Sequence, residues 1–122
     1  LVPQVSRGAE QSRARPASVI AARVLGAVGD DRASDPLALL LKNGPAESRA
    51  AAAEALGDLG LSRGIGPLRA ALLDPAPDVR GAALRSLAAL AGKMARPVIE
   101  DYIRNETDPG LRESAQALLA SL

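Results

Sequence analysis

The chain of 122 residues has no cysteine and no histidine, and Tyr102 is its one aromatic residue. The lack of cysteine excludes a disulfide framework and thiolate metal sites. The lack of histidine excludes imidazole catalysis, histidine-ligated metals and a nucleophile activated by a histidine base. We therefore expect no catalytic residues, no metal and no cofactor, and a protein that is not an enzyme.

Neither charge of one sign nor a long apolar run dominates the chain. Fifteen Lys and Arg against fourteen Asp and Glu give a net charge of +1, whereas binding to nucleic acid requires many cations that neutralise phosphates. No apolar run approaches the roughly 20 residues of a membrane span. We expect no nucleic-acid partner, no membrane partner and, by default, a cytoplasmic location. Because the chain begins with Leu1, a targeting segment that has been removed remains the alternative.

Alanine and leucine supply most of the apolar content, with 26 and 19 residues. Both are strong helix formers, while aromatic and β-branched residues, which favour sheets, are scarce. Charged residues make up only 24%, too few for a generally disordered chain with this apolar content. The composition therefore predicts an all-α protein of closely packed helices.

A pattern recurs about every 31 residues. Arg49, Arg80 and Arg112 lie 31 and 32 residues apart, and each is followed by Ala at +3, Leu at +7 and Leu at +10. An earlier copy has Ser18 in place of the arginine. Offsets of 0, +3, +7 and +10 lie on one face of a helix, so each copy predicts an amphipathic helix.

Proline- and glycine-rich breaks divide these copies into pairs of helices. Gly29 and Gly60 suit left-handed helix ends, and Pro36, Pro67 and Pro97 suit first helical positions. We predict helices near 17–28, 36–43, 46–57, 67–74, 78–91, 96–105 and 110–121. They form a repeat domain over residues 17–122 with unit boundaries near 33, 64 and 95. Residues 1–16 are predicted to be a lead-in or an incomplete first unit.

Residues 74–87 read Asp-Pro-Ala-Pro-Asp-Val-Arg-Gly-Ala-Ala-Leu-Arg-Ser-Leu. This stretch resembles the HEAT-repeat superfamily, in the short form named after phycobilisome lyases, and the resemblance extends roughly over residues 17–122. It implies a right-handed α-solenoid of about 3.5 helix-turn-helix repeats, in which each unit touches only its neighbours. The second unit departs from the pattern, since Ser48 replaces the usual Val and Gly44-Pro45 replaces Asp-Pro.

The resemblance also implies roles for particular residues. Its arginines usually bond the turn of an adjacent unit, which here implies a structural ladder of Arg49, Arg80 and Arg112 with Asp74 and Asp108. Its second helices line a concave surface, which here implies the binding candidates Arg23, Glu54, Leu84, Arg85, Glu113 and Gln116. Leu84 and Arg85 are the expected anchors. The remaining residues of this surface are small, which indicates either the close approach of another helix or helix propensity alone.

The repeats and the missing catalytic groups favour a scaffold or adaptor that binds another protein. The family suggests two alternatives: a bilin lyase or isomerase subunit, and a DNA-binding relative of base-excision glycosylases. The first requires a large groove with groups that hold a pigment, and the second requires a basic concave face with aromatic residues. At residues 118–122 two readings stay open. Either Leu122 packs into the last unit, or this end continues into another domain or binds a second copy.

Overall fold

The computed structural model describes residues 17–122, which form seven α-helices and no strand. The all-α prediction is therefore confirmed, and the predicted lead-in at residues 1–16 lies outside the described residues. The helices are α1 (Ala17–Val28), α2 (Ser34–Asn43), α3 (Ala46–Leu59), α4 (Ile65–Ala71), α5 (Pro77–Ala91), α6 (Arg96–Asn105) and α7 (Pro109–Ser121).

These helices stack as an α-solenoid. The pairs α2/α3, α4/α5 and α6/α7 each form a helix-turn-helix unit, and α1 takes the place of a second helix before them. The second helices pack side by side in the order α1, α3, α5 and α7, and the first helices α2 and α4 contact each other. Short 3-10 turns at Asp31–Ala33, Ser62–Gly64 and Gly92–Ala95 separate the units. These turns end at residues 33, 64 and 95, the positions of the predicted unit boundaries.

Two of the predicted first helices begin earlier than their prolines indicated. Helix α2 begins at Ser34 and α4 at Ile65, so Pro36 and Pro67 occupy third rather than first positions. The preceding 3-10 turn runs directly into each helix. Proline is tolerated there because the first N–H groups of a helix have no partner within it. Helix α4 also ends at Ala71, three residues before the predicted end at 74.

The repeating apolar face forms the core. Ala52 and Leu56 of α3, and Ala83 and Leu87 of α5, are at most 1% exposed, as the +3 and +7 positions predict. On α1 the equivalent stripe remains open, and Val28 is 69% exposed, because no described helix packs on that side. Leu122 packs against the core at the other end of the described chain.

Small residues allow neighbouring second helices to approach closely. A Cβ atom on Gly26 of α1 would lie 2.8 Å from the Cα atom of Ala55 in α3. A Cβ atom on Gly57 of α3 would lie 2.7 Å from the Cβ atom of Ser86 in α5. The Ser86 hydroxyl also donates to the Ala53 carbonyl across this seam at 2.8 Å. Side chains at these two glycines would force the helices apart.

We expect Gly57→Ala to lower the free energy of unfolding by about 1–3 kcal/mol, because the added methyl overpacks the seam. Gly66→Ala is the control, since a Cβ atom there meets nothing within 4 Å. This control should leave stability unchanged or raise it by up to about 1 kcal/mol. Chemical denaturation followed by circular dichroism measures both. Wild-type stability in Gly57→Ala would contradict the close approach.

Candidate functional site

Two arginines join the turns of consecutive units. Arg49 donates to both carboxylate oxygens of Asp74, at 2.9 and 3.0 Å, and to the Gly44 carbonyl at 2.9 Å. Arg80 donates to both carboxylate oxygens of Glu106, at 2.7 and 2.9 Å, and to the Asp74 carbonyl at 2.9 Å. Each guanidinium thus bonds the turn of its own unit and the next one. Such bidentate, charge-assisted pairs are the stronger class of hydrogen bond.

The carboxylate that accepts from Arg80 belongs to Glu106, so the prediction that Asp108 would serve in the ladder is wrong. Asp108 instead caps the start of α7. Its side chain accepts from the backbone N–H groups of Gly110 at 2.9 Å and Leu111 at 3.1 Å. This is the usual role of aspartate at a helix N-terminus.

Spacing from the arginine, rather than the Asp-Pro pair, identifies the correct acceptor. Asp74 lies six residues before Arg80, and Glu106 lies six residues before Arg112. Arg112 itself is exposed and forms no ion pair within residues 17–122. It therefore occupies the position on α7 that corresponds to Arg49 and Arg80, but it is not bridged to an acid in the described part of the chain.

Between α1 and the unit of α2 and α3, both charged residues of the bridge are replaced by uncharged ones. Asn43 lies six residues before Arg49, where the later units have an acid, and Ser18 takes the place of the preceding arginine. The Ser18 hydroxyl instead hydrogen-bonds the hydroxyl of Ser48, which is fully buried. Because both charged partners are replaced together, no buried charge is left without its counterion at this seam.

Glu106 is the most buried charged side chain in these bridges, with 1% of it exposed. It also accepts from the Tyr102 hydroxyl at 2.6 Å and from the Asp108 backbone N–H at 3.0 Å. Burial alone would raise the pKa of this carboxyl. The hydrogen bonds from Arg80, Tyr102 and Asp108 outweigh burial and lower the pKa from 4.5 to about 2. Burial and the neighbouring carboxylate raise the pKa of Tyr102.

The predicted anchor Leu84 is 1% exposed, so the expectation that it would face a partner is wrong. Helix α5 has α3 on one side and α7 on the other, and these neighbours bury the flanks that a single-helix periodicity leaves open. The same packing buries most of the other flanking positions expected to be exposed, namely Val19, Ala22, Gly26, Ala53, Gly81 and Ala88. The small residues serve contacts between helices of this chain.

Three of the predicted candidates share one exposed line across successive second helices. Arg23 of α1, Glu54 of α3 and Arg85 of α5 are all exposed. The Arg85 Nη2 atom lies 3.8 Å from the Glu54 Oε1 atom, and the two side chains are 61% and 48% exposed. An ion pair this exposed contributes at most about 1 kcal/mol. Both side chains therefore remain available to a ligand.

Glu113 and Gln116 are exposed on α7, but they do not belong to this line. They lie one and four residues after Arg112, and the equivalent residues of α5, Gly81 and Leu84, are buried. No described helix packs against this side of α7. The equivalent position on the line is Ala117. The charged line consequently ends at α5.

A groove of about 310 Å³ runs beside this line and brings in two acids that sequence reasoning missed. Glu47 lies seven residues before Glu54, and Asp78 lies seven residues before Arg85. A spacing of seven places both residues of each pair on the same helix face, which is the signal that could have found them. Glu47 and Asp78 form the second side of the groove.

Small side chains form the floor between the two charged sides. Ala50 lies between the acids of α3, and Gly81 lies between Asp78 and Arg85 of α5. The Arg85 guanidinium folds over Gly81, since a Cβ atom at that glycine would lie 3.4 Å from its Nη1 atom. The groove therefore has small residues along its floor on α3 and α5, Leu111 of α7 against Gly81, and charged residues along both edges.

The chemistry available in this groove is that of charge and hydrogen bonding. Its lining residues include two arginines, three acids and no aromatic side chain. Within residues 17–122, no group of three or more His, Cys, Asp or Glu residues is placed to hold a metal ion. Over the same residues, no helix is long and apolar enough to cross a membrane.

A family model of HEAT repeats matches residues 34–120, which contain α2–α6 and nearly all of α7. The chain belongs to the HEAT repeat family. The resemblance seen in the sequence is thereby confirmed, together with the solenoid architecture. HEAT repeats generally mediate protein–protein interactions and are typically non-catalytic. No curated protein matches the chain.

We expect Arg80→Ala to lower the free energy of unfolding by about 1–3 kcal/mol, because it leaves the buried Glu106 carboxylate without its charged donor. Arg85→Ala is the matched control, since it removes an exposed arginine from the same helix and should change stability by less than about 0.5 kcal/mol. Urea unfolding of the two variants measures the difference. Equal stability would contradict a stabilising role for the bridge.

The stability of the protein should fall in acid. Because the folded pKa of Glu106 is about 2 and its ordinary value is 4.5, the unfolded chain takes up this proton first as pH decreases. The stabilisation is fully present above pH 4.5 and is lost towards pH 2. Glu106→Gln should lose this part of the acid sensitivity and be less stable at neutral pH by about 1–3 kcal/mol. Urea unfolding at several pH values measures the free energy of unfolding of the wild type and of Glu106→Gln. If this free energy depended on pH in the same way in both proteins, the prediction would be contradicted.

Proposed function

We propose that the chain is a non-catalytic interaction module, a scaffold or adaptor that holds another protein in the groove across α1, α3 and α5. The observation that carries this proposal is the alignment of charges in that groove. Arg23, Glu54 and Arg85 form one edge, while Glu47 and Asp78 form the other. Nothing in the core requires these five charges, because all of them lie in exposed positions.

The charge balance of the groove favours a protein over a nucleic acid or a pigment. Three acids against two arginines leave the lining net negative, which disfavours a phosphate backbone. The groove offers no aromatic ring for stacking on a base or a bilin, and Tyr102 is buried beside Glu106. A polypeptide carries side chains of both signs and therefore suits both edges.

The groove also rests on elements whose positions are fixed. Its residues project from helices rather than loops, and these helices are joined by close seams and by the arginine bridges. A site built on fixed elements loses little conformational entropy when a ligand binds. This rigidity favours recognition of a defined partner segment.

We expect Arg23→Glu/Arg85→Glu to abolish capture of a specific protein that the wild-type chain retains from native lysate. Arg63→Glu/Arg69→Glu is the matched control, because both arginines are exposed and lie outside the groove. The two variants change the net charge equally. Leu84 is unsuitable for this test, because a charge there would disrupt the core.

Mass spectrometry of the captured proteins, after a thermal melt has shown that each variant is folded, decides the outcome. A protein held by the wild type and the control but lost from Arg23→Glu/Arg85→Glu supports the adaptor role. Equal capture by all three would place the interaction on another surface and contradict the proposed groove.

A further inference from the structure

We propose that the groove binds an extended segment of its partner in which basic and acidic side chains alternate. This inference rests on the proposed function and specifies the ligand of the same groove. It follows from three features: the opposite charges of the two edges, the small residues between them and the position of the Arg85 guanidinium.

The two edges differ in sign. Glu47 and Asp78 give one edge two negative charges, whereas Arg23, Glu54 and Arg85 give the other edge a net charge of one positive. Residues seven apart along a helix are separated by about 10.5 Å. A ligand that lies between the edges therefore meets an acidic side and, opposite it, a side on which two arginines flank one glutamate.

The floor leaves room for a polypeptide backbone. Gly81 is buried and has no side chain, and Ala50 is half-buried. Val19 lines the groove at α1 and is 1% exposed. On α1, α3 and α5, no side chain larger than valine lies between the two edges. Leu111 of α7 lines the end of the floor, where its Cδ2 atom would lie 3.1 Å from a Cβ atom at Gly81.

The Arg85 side chain makes this space too narrow for a helix. Its guanidinium lies over Gly81, within 3.4 Å of the position of a Cβ atom there, and so occupies part of the distance to Asp78. A helix with its side chains is about 10–12 Å in diameter, which is the whole distance between the edges. A single extended strand is thinner and fits between them.

An extended strand also matches the two signs. Its successive side chains point to opposite sides, so alternate residues face one edge and the residues between them face the other. Basic side chains then reach Glu47 and Asp78, and acidic side chains reach Arg23 and Arg85. Neighbouring helices are about 8–10 Å apart and alternate strand residues about 6.7 Å apart. The long stem of lysine spans the difference.

The contact between Arg85 and Glu54 does not oppose this binding. Their charged atoms are 3.8 Å apart in an exposed setting, so the Arg85 guanidinium can donate to an incoming carboxylate from its position over Gly81 with little loss of free energy. Because all the charges are exposed, binding should weaken as salt is added.

The test compares two capped peptides of equal composition, four repeats of Lys-Glu and a block of four Lys followed by four Glu. The alternating peptide places like charges at i and i+4, which disfavours a helix. Fluorescence anisotropy with labelled peptides at low salt should show the alternating peptide binding about tenfold more tightly to the wild-type protein. Equal affinities would overturn the proposal.

Variants of the acidic edge provide the second arm. Glu47→Lys/Asp78→Lys should weaken binding of the alternating peptide by about tenfold or more. Asp35→Lys/Glu100→Lys is the control, because it reverses two exposed acids on first helices and produces the same change in net charge. Like Glu47 and Asp78, Asp35 lies in the first turn of its helix. An unchanged affinity in Glu47→Lys/Asp78→Lys would overturn the proposal.

The outcomes separate this inference from the adaptor role. If a captured partner depends on Arg23 and Arg85 but contacts the groove through a helix or a segment of one charge, the extended ligand is wrong and the proposed function stands. Hydrogen exchange of the complex identifies that segment. If the alternating peptide binds as expected but no captured protein depends on the groove, the ligand class is supported and the adaptor role is contradicted.

Discussion

The close contact between neighbouring second helices is the constraint on which the rest of the protein depends. At Gly26 and Gly57 there is no space for a methyl group, and the facing residues are Ala55 and Ser86. This contact fixes how far apart the units stack. It also accounts for the alanine-rich composition, because larger side chains on the flanks of α3 or α5 would separate the helices and open the core.

The arginine bridges add a second point of attachment at the other end of the same helices. Arg49 and Arg80 lie near the starts of α3 and α5 and bond the turns, whereas Gly57 lies near the end of α3. Two separated attachments restrict both the distance and the angle between adjacent helices. Glu54 and Arg85 lie between these attachments, and Glu47 and Asp78 lie two residues before the bridging arginines. Glu47 and Glu54 consequently keep a constant relation to Asp78 and Arg85.

The sequence allowed the helices to be predicted because each carries its own apolar periodicity, but it left the neighbours of each helix undetermined. Periodicity in α5 identified Ala83 and Leu87 as core residues, and both are buried. It also left Leu84 as an exposed residue, because a pattern within one helix contains no information about helices on its flanks. The acceptor Glu106 was missed for a related reason. The prediction took the aspartate of the Asp-Pro pair as the acceptor, but in the last unit this aspartate caps a helix. The residue that accepts from the arginine is instead the one six residues before the arginine position of its own unit.

The packing on three sides also explains why so few residues can determine binding. On α3 and α5, the first helix covers one face and the neighbouring second helices cover both flanks, so the groove edges fall at two positions on each helix. On α7 these two positions are Gly110 and Ala117, which ends the charged edges at α5. Two helix spacings of about 8–10 Å correspond to about six extended residues. A ligand this short, held by exposed charges, forms a small interface, which is typical of transient rather than permanent complexes.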